Sequence, residues 1–145
     1  GNPLMNLSSI RSSPNMRRAQ GGVMLLEAMI SILLFAIGIL AVVGLQSFSI
    51  RASSDAVYRS QASFLASQII GEMWTDNKAT LAANYATGGP KYTVWKNMVN
   101  ARLPGSDTNI PTITVAANNV VTVNVRWDVP GAEAPHSFVM LAQIN

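Results

Sequence analysis

A long apolar run near the N-terminus constrains this chain more than any other feature. Residues 28–45 include no charged side chain, and the uncharged stretch follows directly on Glu27. An α-helix rises about 1.5 Å per residue, so such a run nearly matches the thickness of a bilayer's hydrocarbon core. The sequence therefore predicts a membrane-spanning helix.

Glu27 stands at the start of this run, where a membrane helix tolerates acids poorly. A carboxylate within such a segment costs about 2.5 to 3.5 kcal/mol on insertion scales, so a retained one suggests a partner for its charge. Snorkelling of the side chain to the interface is the alternative. We interpret Glu27 as a functional residue.

The residues before Val23 are typical of a leader that is removed. They are polar, carry no acid, and end in Gly21-Gly22, whose missing side chains allow a protease to approach the backbone closely. Basic residues outside an apolar run favour the cytoplasmic side, so we expect the C-terminal part to cross the membrane. A secretory signal peptide differs, because its cleavage site follows its apolar region.

The order Gly22, apolar Val23, Glu27 and long apolar helix resembles the prepilin signal of the type IV pilin family, a class III signal. Shorter segments further along are similar to minor pilins of the pilus modification (PilV) type. These segments are Ile37-Gly38-Ile39-Leu40, Gly44-Leu45-Gln46, Met73-Trp74-Thr75-Asp76-Asn77, Leu103-Pro104-Gly105 and Val125-Arg126-Trp127.

The resemblance implies a minor pilin subunit that is incorporated into a type IV pilus or primes its assembly, and that is not an enzyme. Prepilin peptidase would cut between Gly22 and Val23, Val23 would be N-methylated, and the new amine would pair with Glu27 of a neighbouring helix. Its other partners would be major and minor pilins, the inner-membrane assembly machinery and, before assembly, the lipid bilayer. The chain would lie in the inner membrane with a periplasmic C-terminal domain, and afterwards in the cell-surface pilus.

Two features depart from the family pattern. Val23 stands where pilins usually have Phe or Met, and the chain has no cysteine, so a C-terminal disulfide is excluded. A start at Met16 would give a leader of typical length, which makes residues 1–15 an extension that we expect to be disordered, since Asn, Ser and Pro dominate it.

Two other function classes share parts of this pattern. A pseudopilin of a type II secretion system would have the same N-terminal signal, so only the C-terminal half favours the pilus protein. A single-pass membrane-anchored binding domain or enzyme would need a catalytic or binding constellation that the sequence does not offer.

Charge gives no sign of a nucleic-acid partner. The net charge of +3 comes from ten basic and seven acidic residues, but three of the basic ones precede Val23, so the mature chain carries seven of each. Lys91, Lys96, Arg102 and Arg126 lie near Tyr92, Trp95 and Trp127, and we interpret these aromatics as core residues with cations outside.

The sequence offers no cofactor site, metal site or catalytic residue. His136 is the only histidine, and its position between Pro135 and Ser137 predicts a solvated loop residue. Asp107, Asp128 and Glu133 fall near predicted turns and strand ends. Gly88-Gly89-Pro90 is interpreted as a turn instead of a phosphate-binding loop.

The apolar helix is predicted to continue past the membrane. No proline interrupts residues 23–77, and apolar residues recur at helical spacing in the second half, as an amphipathic helix requires. These residues are Tyr58, Ala62, Leu65, Ile69 and Met73. A loop with at most one helical turn is expected over residues 78–90, and a short helix over residues 93–101.

Three strands complete the predicted fold. Ile113 and Val115, the alternating residues from Val121 to Trp127, and residues 137–144 follow the period-two pattern of half-buried strands. A three-residue loop, Ala117-Asn118-Asn119, would pair Ile113 with Val123 and Val115 with Val121, with Asn119 left-handed. We predict an α+β, pilin-like fold: a leader (1–22), a membrane and assembly half of one long helix (23–50), and an exported domain (51–145) with a small antiparallel sheet.

Overall fold

The architecture was taken from a computed structural model that describes residue 1 and residues 15–145, with side chains from residue 20 onward. It has one long N-terminal helix and a three-stranded antiparallel sheet, so the α+β prediction is confirmed at this level. The chain divides into two compact units, Gly1–Phe48 and Ser49–Asn145. Most of the extension predicted to be disordered, residues 2–14, lies outside the described residues.

Helix α1 spans Asn15–Thr75 without a break. It begins earlier than the predicted start at Val23, so the residues just before the expected cleavage point are helical. Arginine, alanine and glutamine are good helix formers, so the two glycines, at roughly 1 kcal/mol each in a helix interior, are the only strongly unfavourable residues of this segment. At its other end, Thr75 Oγ1 donates to the Glu72 carbonyl at 3.0 Å.

The segment after α1 is more helical than the sequence predicted. A 3-10 helix, Lys78–Thr80, begins where the Asn77 side chain accepts from the Ala79 N–H at 3.0 Å. Helix α2, Leu81–Tyr85, follows directly, so the prediction of a loop over residues 78–90 is wrong for most of its length.

Helix α3 spans Pro90–Arg102, and the sequence predicted it to begin only at Thr93. Pro90 is its first residue, a position where proline's missing N–H has no helical partner to lose. Gly89 is buried because its backbone lies against α2, where an added Cβ would come within 2.7 Å of the Ala83 carbonyl oxygen. Gly89-Pro90 therefore starts a helix, and the prediction of a turn at this point is incomplete.

The sheet has the order β1-β2-β3, with strands Thr112–Val115, Val120–Trp127 and His136–Gln143. Ile113 pairs with Val123 and Val115 with Val121, as predicted. The Ala116 N–H donates to the Val120 carbonyl at 2.9 Å, which closes a three-residue loop. Asn119 has a φ of 57°, so its predicted left-handed conformation is also confirmed.

The core of the second unit lies between the second half of α1, helix α3 and the inner face of the sheet. Ala62, Leu65, Ile69 and Met73 are all at most 1% exposed, and Tyr58 packs at the edge of the cluster. The predicted stripe is thus confirmed, and Ala66 and Ile70 extend it. Trp95 is buried and its indole N–H donates to the Leu65 carbonyl at 2.9 Å, which ties α3 to α1.

Candidate functional site: the junction and the apolar helix

The predicted cleavage junction lies within the first turns of α1. Gly21, Gly22 and Val23 are helical and exposed, and Val23 retains 64% of its accessible surface. An added Cβ at Gly21 or Gly22 would meet no atom within 4 Å. The described part of the chain therefore gives no packing reason for glycine here, although each costs about 1 kcal/mol of helix stability relative to alanine.

Glu27 lies one helical turn beyond Val23, on the same face of α1. Its side chain is exposed, and no cationic group of residues 20–145 lies within 4.0 Å of it. The long side chains of a helix lean toward its N-terminus, so the carboxylate of Glu27 is directed toward Val23. The side chains of residues 20–145 therefore supply no ion-pair partner for this charge.

The surface of α1 around and beyond Glu27 is apolar on all sides. From residue 20 to residue 50 every residue is exposed, although most of these side chains are apolar. It is the one helix among the described residues that is long and apolar enough to span a membrane. An exposed apolar surface of this size marks a lipid or protein interaction site.

A second polar group forms where α1 ends. Lys91 Nζ lies 2.5 Å from Asp76 Oδ2, and the Tyr85 hydroxyl donates to the same carboxylate oxygen at 2.8 Å. The hydrogen bond from Lys91, then that from Tyr85, lowers the pKa of Asp76 from 3.8 to about 2. The bond to Asp76 also raises the pKa of Lys91 above its usual value. No sequence pattern marks this group as a site, although Asp76 lies in one of the segments that resemble minor pilins.

His136 does not lie in a loop, and the prediction of a solvated loop residue is wrong. It is the first residue of β3, it pairs with Trp127 across the ladder, and its ring stacks on the Trp127 indole with 5.6 Å between ring centres. Its Nδ1 lies 3.4 Å from Asp55 Oδ1. Trp127 lies nine positions earlier, so only the register of the sheet brings the two rings together.

The remaining candidates do not gather into a site. Among the residues that the structure describes, no three acids or histidines are close enough to hold a metal ion. Tyr92, Trp95 and Trp127 are buried, so they form no stacking surface for bases. Of their cationic neighbours, Lys91, Arg102 and Arg126 are exposed, as the core interpretation predicted, whereas Lys96 is half-buried.

Comparison with known proteins adds no assignment to this geometry. No protein-family model, no curated protein and no solved structure matches the chain.

Proposed function

We propose that this chain is a minor pilin of a type IV pilus. It would be made as a prepilin, cut between Gly22 and Val23 by prepilin peptidase, and methylated on Val23. One observation carries the proposal: the exposed apolar stretch of α1 starts next to two glycines that an added Cβ would leave free of contacts, and next to an acid that has no ion-pair partner among the described residues.

The open space at the two glycines supports cleavage by a protease that approaches the backbone closely. A residue that weakens a helix and touches nothing in its own chain is expected where another molecule must come near. Here the open space surrounds Gly22, directly before the expected scissile bond. Cleavage there would free an α-amino group on Val23, close to where the apolar surface begins.

The charge of Glu27 supports assembly through this helix. Glu27 lies four positions after Val23, which is a rise of about 6 Å along a helix. In a bundle of such helices, a neighbour displaced along the axis by this amount would bring its amine to the level of the carboxylate. Two opposite charges in a low-dielectric bundle attract strongly, and pairing removes the cost of burying either one alone. The pair would thus fix the register between subunits.

The two halves of α1 would have different roles, the first in membrane and subunit contacts and the second in packing of the domain. Residues 23–50 would lie in the inner membrane before assembly and among other pilins afterwards. The amphipathic half carries the domain beyond it, which would be periplasmic first and then displayed on the fibre. No residue of this proposal is catalytic, and no cofactor is required.

Fractionation of tagged full-length chain tests this proposal. The amounts in sheared pili and in membranes are compared in wild-type cells and in strains that lack either the pilus machinery or a type II secretion system. Glu27→Gln is compared with Glu72→Gln, which removes an exposed acid from the same helix outside the apolar segment.

We expect both the wild-type chain and Glu72→Gln in the sheared fraction. Both should disappear from that fraction in cells that lack the pilus machinery. Glu27→Gln should reach the membrane and be cleaved, but its share in sheared pili should fall. A sheared fraction that depends on the secretion system instead would identify a pseudopilin. Equal incorporation of Glu27→Gln and Glu72→Gln would refute the charge pair.

A further inference from the structure

The sheet has two edges, and the structure closes only one of them. The order β1-β2-β3 leaves one side of β1 and one side of β3 without a neighbouring strand. An open edge presents a row of unpaired N–H and C=O groups, which can pair with another chain.

The β1 edge is closed by Thr87. The Thr87 N–H donates to the Ile113 carbonyl at 3.0 Å, and the Ile113 N–H donates to Thr87 Oγ1 at 3.0 Å. Ile113 and Val115 are the β1 residues whose backbones face away from β2, since the closing pair Ala116–Val120 sets the alternation of the ladder, and Thr87 occupies the groups of Ile113. No further strand can pair at this point.

The β3 edge is open along four residues. The Ile144 N–H donates to the Asn119 carbonyl at 3.0 Å, so the even-numbered residues of β3 bond to β2. The outward backbone groups therefore belong to Ser137, Val139, Leu141 and Gln143. None of these groups takes part in the turn, loop and side-chain hydrogen bonds found within residues 15–145.

Strand β3 lacks the features that usually protect an edge. Apart from His136 at its start, β3 contains no ionisable residue, and it contains no proline and no glycine. Val139 and Leu141 are 48% and 66% exposed on the outer face of the sheet. On the inner face Phe138, Met140 and Ala142 are only partly buried, so the core is incompletely covered along this strand.

We propose that the β3 edge pairs with β3 of a second copy of this chain, antiparallel and centred on Met140. In this register Val139 lies opposite Leu141 of the other copy, and Ser137 lies opposite Gln143. On the inner face Phe138 would lie opposite Ala142, a large residue beside a small one. Each cross-strand pair thus joins residues of like polarity or of complementary size. A two-fold symmetric interface requires such self-complementarity of a single sequence.

Neighbouring registers do not match in this way. Centring the pair on Val139 would place Leu141 opposite Ser137 and bring Pro135, which has no N–H to donate, into the ladder. Centring it on Leu141 would place Val139 opposite Gln143. The match is therefore specific to one register, and the uncharged strand introduces no like-charge repulsion in it.

Disulfide trapping tests this pairing in the full chain, because the protein has no cysteine of its own. Val139→Cys and Leu141→Cys are made in two differently tagged chains, which are mixed in detergent and mildly oxidised. Directly opposed residues in the proposed register would have Cα atoms about 5.5 Å apart, within the range of a disulfide. Val139→Cys alone would place the Cα atoms of its two cysteines on a diagonal of about 7–8 Å, which is too far for a disulfide. Thr114→Cys, exposed on β1, measures collisional cross-linking and any association through the apolar helices.

We expect cross-linked dimers that join the two tags, several-fold more abundant than dimers of either single variant or of Thr114→Cys. Adding Ser137→Lys and Gln143→Lys to both chains should abolish the product, because like charges would then face each other. Replacing the lysines by glutamates in one chain only should restore it. Equal yields from all cysteine variants, or no response to the charges, would overturn the proposal, and pilus localisation would be unaffected by that result.

Discussion

At the scale of single residues, Asp76 shows how the end of α1 is fixed to the helices that follow it. Its carboxylate accepts from Lys91 at the start of α3 and from Tyr85 at the end of α2, and its other oxygen accepts from the Asn77 N–H at 2.7 Å. These bonds hold the pKa of Asp76 at about 2. One side chain thus connects three helical segments.

The lowered pKa gives a pH dependence with a definite sign. The Asp76 carboxyl holds its proton less tightly in the folded chain than in the unfolded chain. Its contribution to folding stability is therefore present above about pH 4 and is lost as the pH falls toward 2. Asp76→Asn should lower the melting temperature at pH 5 and flatten its fall between pH 4 and pH 2. Melting followed by tryptophan fluorescence in detergent measures this.

Asp107→Asn is the control for this prediction, because Asp107 is exposed and takes part in no hydrogen bond or ion pair of the described residues. It should keep the slope of the wild-type chain. If Asp76→Asn keeps that slope as well, the bonds of Asp76 do not contribute to stability.

At the scale of elements, the helix face that carries the domain is set by Leu65, which is fully buried. Leu65→Asp would place an unpaired charge in the core, which typically costs several kcal/mol and is comparable to the stability of a small domain. We expect loss of the cooperative melting transition. Phe64→Asp is the matched control, because Phe64 is the adjacent residue and is 57% exposed. A cooperative melt of Leu65→Asp like that of Phe64→Asp would mean that the sheet does not pack on this face.

The β1–β2 hairpin depends on the left-handed Asn119. A non-glycine residue in this conformation costs about 1–2 kcal/mol, and a β-branched residue tolerates it least, so Asn119→Val should lower stability by about that amount. Asn119→Gly should lie within about 0.5 kcal/mol of the wild-type chain. Chemical denaturation measures both, with Ala117→Val, at an exposed position of the same loop, as the control. Equal stability of all three variants would exclude this role for Asn119.

The elements that the sequence predicted best are those specified locally. The α1 stripe, the pairing of Ile113 with Val123 and the Asn119 loop follow from periodicity and turn chemistry, and all three are present. The start of α3 was missed because Gly89-Pro90 serves turns and helix starts equally well, and only the close approach to α2 decides between them. The stacking of His136 on Trp127 depends on the register of β2 and β3 near their ends. Such contacts between distant residues leave no periodic signal.

At the scale of the whole molecule, the residues of the candidate site could be predicted from the sequence, but their backbone conformation and surroundings could not. The order Gly22, Val23 and Glu27 could be read directly from the sequence. Its helical backbone and the open space around Gly22 required the structure. These observations support cleavage between Gly22 and Val23, because a glycine that the described fold does not need is expected to serve another molecule.

The identity of the first residue of the mature protein tests this claim most directly. Mass spectrometry of chain extracted from membranes should show Val23 at the N-terminus, with the added mass of a methyl group. Gly22→Leu should block cleavage without disturbing the fold, since the space around Gly22 is open in this chain. Wild-type chain that keeps its leader in cells with an active prepilin peptidase would contradict the account.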